Sequence, residues 1–138
     1  MLEINRKVRE VQGCRPDSLS DDILYSTEPL VLRGLTADWP LVQAAKQSSA
    51  QAESYILQFD SGQQLTAYRG EPEIDGRIFY NQDFSGFNFE RIRLPLAEVF
   101  ENLRLYSGKA QPPTLYVGST MVDNWLPELR RDNDLVLQ

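Results

Sequence analysis

Glu28-Pro29-Leu30-Val31-Leu32-Arg33-Gly34-Leu35 runs directly into Asp38-Trp39-Pro40. Leu30, Val31 and Leu32 form an unbroken apolar run between a proline and a glycine. Such a run predicts a short strand, and its lack of alternation predicts burial on both faces. Pro40 then falls in the first turn of a helix, where its missing N–H costs nothing, with Asp38 as the cap. Trp39 reads as a packing anchor at that helix start. A short strand followed at once by a short helix is the pattern from which the rest of the chain is read.

Upstream, Ser18 with Asp21 three residues later has capping-box spacing and predicts a short helix through Leu19, Ile23 and Leu24. Downstream, Ser48 with Gln51 repeats the signal. Ala52, Tyr55, Ile56 and Phe59 follow at helical spacing, and Gly62 stands where a C-terminal cap belongs. Residues 65–69 alternate as a strand. Glu71-Pro72 and Asp75-Gly76 are turn signals, and 77–80 reads as a second strand. A polar loop covers 81–86, and 87–93 alternates again, with Phe87 and Phe89 on one face and Ile92 on the other. The clearest helix is 95–106, with Leu96, Val99, Phe100 and Leu103 inward and Gly108 beyond its end. A strand is expected over 114–117 and a last short helix over 127–131. The fold class is α+β, and the 138 residues are the length of one domain, 1–138.

Composition narrows the chemistry. The chain has no histidine and a single cysteine, Cys14. A Ser-His-Asp or Cys-His site cannot be built from such a set, nor a zinc site, nor a two-His-one-carboxylate iron site. Cys14 cannot close an internal disulfide and reads as a small, partly buried residue in a connecting segment. Lys plus Arg number 14 and Asp plus Glu 20, a net charge of −6 with no basic patch, which disfavours nucleic acid and anionic membranes as partners. No signal peptide or membrane span is visible, so the expected location is cytoplasmic.

The opening segment, together with Arg77-Ile78-Phe79-Tyr80-Asn81, Ser85-Gly86-Phe87-Asn88-Phe89 and Leu115-Tyr116-Val117-Gly118-Ser119, resembles the N-terminal part of cupin-like, jumonji-C-type proteins, the family that includes the asparaginyl hydroxylase of hypoxia-inducible factor. The resemblance implies the N-terminal helical and first-strand portion of a jelly roll (double-stranded β-helix). It also implies an oxygenase that uses Fe(II) and 2-oxoglutarate, with iron held by a His-x-Asp/Glu pair and a later His. Those ligands are expected downstream of the apolar ending Leu135-Val136-Leu137. The 138 residues are therefore expected to be an incomplete piece of that fold and not catalytic alone. Its partner would be the rest of the fold or a second copy, with a protein or small molecule as the parent's substrate. The alternative is a stand-alone binding module that kept only this half.

By the same resemblance Tyr116 matches a tyrosine that binds 2-oxoglutarate through its hydroxyl; read from the residue alone, it is equally a strand tyrosine packed on a sheet. Asn81, Asp83 and Ser85, with Gln82, form a loop that either faces a substrate or is simply solvated. Phe84, Phe87 and Phe89 read as core or as ligand-stacking rings, with core preferred. Arg91 and Arg93, on alternate strand positions, either clamp a carboxylate or pair with Glu90 or Glu98 on the surface.

Overall fold

The computed structural model describes residues 7–135. Its contacts fall into two compact units, one of Met1–Ala52 with Arg130–Gln138 and one of Glu53–Leu129.

In the first unit, β1 (Arg9–Gln12) pairs in parallel with the strand anticipated from the Leu-Val-Leu run, here β2 (Leu30–Arg33). Between them lies α1 (Asp21–Leu24). β1 carries no apolar alternation and was not anticipated. It forms because β2 offers a ladder edge, and Arg33 then closes a two-pronged pair with the Glu10 carboxylate at 2.8 and 2.9 Å. That pair holds Glu10 below the usual carboxylate range. In this two-stranded ladder Leu30, Val31 and Leu32 are half-buried, which corrects the expectation of burial on both faces. Ser20, not Ser18, precedes α1, because Ser18 is drawn into a bridge with Arg15. α2 (Pro40–Gln47) starts at Pro40 as expected, but with Trp39 rather than Asp38 at the cap position and no side-chain cap of its own. The Leu41 N–H donates instead to Asn133 Oδ1, 92 residues away, at 3.0 Å. Cys14 is partly buried and unpaired.

α3 (Ser49–Leu57) follows in sequence, opened by the anticipated bond from the Gln51 N–H to Ser48 Oγ (3.1 Å). Gly62 does adopt a left-handed conformation, though in the loop beyond α3, where its N–H meets the Asp60 carboxylate.

The second unit is built on a three-stranded antiparallel sheet of β3 (Gln64–Gly70), β4 (Glu90–Pro95) and β5 (Thr114–Tyr116), ordered β4-β3-β5. α4 (Leu96–Tyr106) and α5 (Val122–Trp125) complete it. The alternation of β3 sends Leu65 and Ala67 to one face, opposite Leu94 and Ile92 of β4. Leu65, Ala67, Leu94 and Val99 of α4 are the buried core, with Leu96, Leu115, Val117 and Trp125 packed around it. α5 was not anticipated. The helix expected over 127–131 shrinks to one 3-10 turn at Leu129–Arg131.

Residues 77–80 are not a strand. Asn88 takes the place of a strand partner there, donating from Nδ2 to the Arg77 carbonyl (2.7 Å) and accepting the Phe79 N–H at Oδ1 (2.8 Å). A side-chain amide thus satisfies two of the backbone groups that a ladder would otherwise bond, and the backbone bonds that remain, from the Asn88 N–H to the Phe79 carbonyl and from the Asn81 N–H to the Gly86 carbonyl, make one bridge, Tyr80 to Phe87. The strand expected at 135–137 lies largely outside the described residues. Among the described residues no helix is long and apolar enough to cross a membrane.

Candidate functional site

Because side chains alternate along a strand, the face of the sheet opposite the core carries Thr66 and Tyr68 of β3, Arg91 and Arg93 of β4, and Tyr116 of β5. The register puts Arg91 and Tyr116 each directly across from Tyr68. These three side chains form one row across the sheet. The Arg91 guanidinium carbon lies 5.9 Å from the Tyr68 ring centre, and the Tyr116 ring stacks on Tyr68 at 6.1 Å.

A second row meets the first at Tyr68. Phe89 abuts Tyr68 edge-on at 5.3 Å, Phe87 stacks on Phe89 at 4.9 Å, and Tyr80 stacks on Phe87 at 5.1 Å. Phe87 is 59% exposed and Phe84 72%. The expectation that they are core therefore fails for both. The core face of this sheet is filled by aliphatic residues, and the aromatics sit on the opposite face and in the loop that extends from it.

The two rows bound an open groove of about 610 Å³. Tyr68, Phe87, Phe89 and Ile78 supply its apolar surface; Arg91, the Tyr116 side chain and Ser119 supply the polar groups. The volume falls within the range of small-molecule sites, roughly 300–1,000 Å³. Tyr116 is seated by Gly118, since a Cβ at that glycine would fall 2.1 Å from the phenol oxygen.

Asn81, Asp83 and Ser85 are brought together, but with one another. The Ser85 N–H and hydroxyl both donate to Asp83 Oδ1 (3.0 and 2.7 Å), and Asn81 Nδ2 donates to Ser85 Oγ (3.1 Å). Asn81 Oδ1 also accepts the Gly86 N–H. The two Ser85 donors hold the Asp83 carboxyl below the usual carboxylate range, the hydroxyl having the larger effect. None of the three is among the residues lining the groove that holds Tyr116.

Glu90, expected as a partner for Arg91 or Arg93, instead pairs with Arg69. Tyr68 is not among the expected site residues, and Ile78 and Ser119 stand only within the segments that carry the resemblance. The one local signal of Tyr68 is its strand alternation, and the cross-strand register that makes it central is not written locally.

Residues 16–138 match the sequence pattern of the cupin-like domain. The chain belongs to the cupin-like domain family. No curated protein and no solved structure matches it. The mixed helices and small sheets agree with membership of this jumonji-C-type family. The iron centre that the resemblance implies does not fit the donors present, because a chain without histidine cannot supply the two imidazoles. A single hydrogen bond from Tyr116 to a carboxylate does fit the groove's chemistry.

Proposed function

We infer that these 138 residues are the N-terminal scaffold portion of a jumonji-C-type Fe(II)/2-oxoglutarate oxygenase of the hydroxylase kind, acting on a protein side chain or a small molecule. The observation that carries the reading is Tyr116, which by resemblance corresponds to a 2-oxoglutarate ligand, standing in an open groove of a cupin-like chain that also holds an arginine. The chain's own contribution is a wall. The Tyr116 hydroxyl donates one bond to a carboxylate, Tyr68 and Gly118 hold its ring, and the aromatic residues line one side of the groove. Metal ligands come from outside these residues, from the remainder of the fold, and the 138 residues alone do not turn over.

The test has two arms. Titration of 2-oxoglutarate, followed by NMR, shifts the resonances of Tyr116 and its neighbours, and Tyr116→Phe removes that response. Incubation with Fe(II) and 2-oxoglutarate yields no succinate from the chain alone. Iron-dependent succinate formation by the purified chain overturns the scaffold reading. A second reading, a stand-alone binding module, draws on the fact that every residue lining the groove lies between Tyr68 and Ser119. Tight binding of a ligand without any other chain present distinguishes it.

A further inference from the structure

The two arginines of β4 are left over by everything above. Arg91 and Arg93 project from the same face of the sheet, opposite Tyr68 and Thr66. Neither forms an ion pair with any described residue, whereas Arg69, one position along β3 from Tyr68 and on the opposite face, is neutralised by Glu90. In a chain of net charge −6 this leaves a small positive field on one face of one sheet. Arg91 also has an aromatic neighbour. Its guanidinium carbon stands 5.9 Å from the Tyr68 ring centre, within cation–π reach, and its N–H groups remain free to donate. Phe87, Phe89 and Ile78 line the same groove, and Phe87 is 59% exposed. Exposed aromatic surface beside an unpaired planar cation suits a carboxylate joined to a flat apolar body.

We propose that the groove binds an aryl or heteroaryl carboxylate. Arg91 takes the carboxylate in a two-pronged pair, the ring lies against the exposed surface of the Phe87–Phe89 row, and Arg93 strengthens the field from the next position on that face. The proposal requires neither iron nor the Tyr116 hydroxyl, so it stands or falls apart from the cosubstrate reading. 2-Oxoglutarate has no flat apolar body to engage the aromatic row.

The probe is 2-naphthoate, titrated against the chain by NMR and calorimetry, with 2-naphthamide as the neutral comparison. 2-Naphthoate is expected to shift Tyr68, Phe87 and Phe89, and the amide to bind about tenfold more weakly, the usual worth of a charge-assisted bond. Arg91→Gln gives a similar loss, Arg93→Gln a smaller one, and Arg91→Lys an intermediate one, because an ammonium keeps the charge without the fork. Raising ionic strength about tenfold weakens 2-naphthoate and leaves the amide unchanged. Tyr116→Phe leaves 2-naphthoate binding within about twofold, while 2-oxoglutarate binding, if the cosubstrate reading holds, is lost. Both arginines are exposed, and circular dichroism of each variant verifies the fold. Equal affinity for acid and amide overturns the proposal. So does an unchanged Arg91→Gln variant, or no binding of 2-naphthoate up to roughly millimolar concentration.

Discussion

Replacing Gly118 by alanine isolates one contact. A Cβ built there falls 2.1 Å from the Tyr116 phenol oxygen, 2.3 Å from the ring carbon bearing it and 2.6 Å from the adjacent one. Ordinary contact begins near about 3.5 Å, so the phenol must retreat by roughly 1.4 Å. The ring can do so, because Tyr116 is 51% exposed. Two effects on stability oppose each other. Gly118 does not use a left-handed backbone conformation, so alanine restricts the unfolded chain and stabilises by about 0.4–1 kcal/mol. Loosening the Tyr68–Tyr116 stack costs about 0.5–1.5 kcal/mol, toward the low end for a half-exposed pair. The variant is therefore expected to unfold within about 1 kcal/mol of the parent, while the phenol leaves its seat. Two-dimensional NMR reads the displacement as loss of the nuclear Overhauser contact between the Tyr116 ring protons and the residue 118 α-proton, and urea denaturation reads the stability. Retention of that contact with an unchanged Tyr116 ring shift refutes the claim that Gly118 is there to seat Tyr116. A loss of several kcal/mol refutes the estimate that the ring can move freely.

Three further outcomes are expected. Leu94→Ala, which empties a position 4% exposed beside Leu65, lowers the free energy of unfolding by about 2–5 kcal/mol in urea, a large part of a domain's stability. Asn133→Ala removes the acceptor of the Leu41 N–H and costs about 1 kcal/mol with faster hydrogen exchange at Leu41, and Asn133→Asp restores both; unchanged exchange in the alanine variant counts against the cap. The Asp83 carboxyl is depressed in the folded loop, so its stabilisation of the 81–86 turn is present above the unfolded aspartate's pKa of about 3.9 and is lost as pH falls through the lower folded value. In a pH titration the Ser85 amide then shows a midpoint below about 3.9, and a midpoint at or above it rejects the assignment.

The legible parts of this fold are those written in short-range pattern. β3 and α4 appear where alternation and helical spacing put them, β4 is found but runs Glu90–Pro95 rather than 87–93, and the Ser48–Gln51 signal opens α3 as read. The rest is decided by pairings that no local periodicity encodes. β1 has no apolar period and exists because β2 offers it an edge. The strand expected at 77–80 is lost to Asn88, whose amide imitates a backbone partner from within its own hairpin. The same division holds at the site. Tyr116 and Arg91 stand out as residue types, but their meeting across Tyr68 depends on the β4-β3-β5 register, and no local signal encodes a register. Rings are usually core, which is why the sequence points Phe84 and Phe87 inward; in the structure aliphatic residues fill the core.

The bond from Leu41 to Asn133 also sets a clock. At ordinary ribosomal rates, the 92 residues from position 42 through Asn133 take about 5–20 s to synthesise. Throughout that interval α2, only eight residues long and without a cap of its own, is too short to persist by itself. The part of the chain made early is thus finished late, and a nascent polypeptide halted before Asn133 carries an amino-terminal segment that has not yet closed.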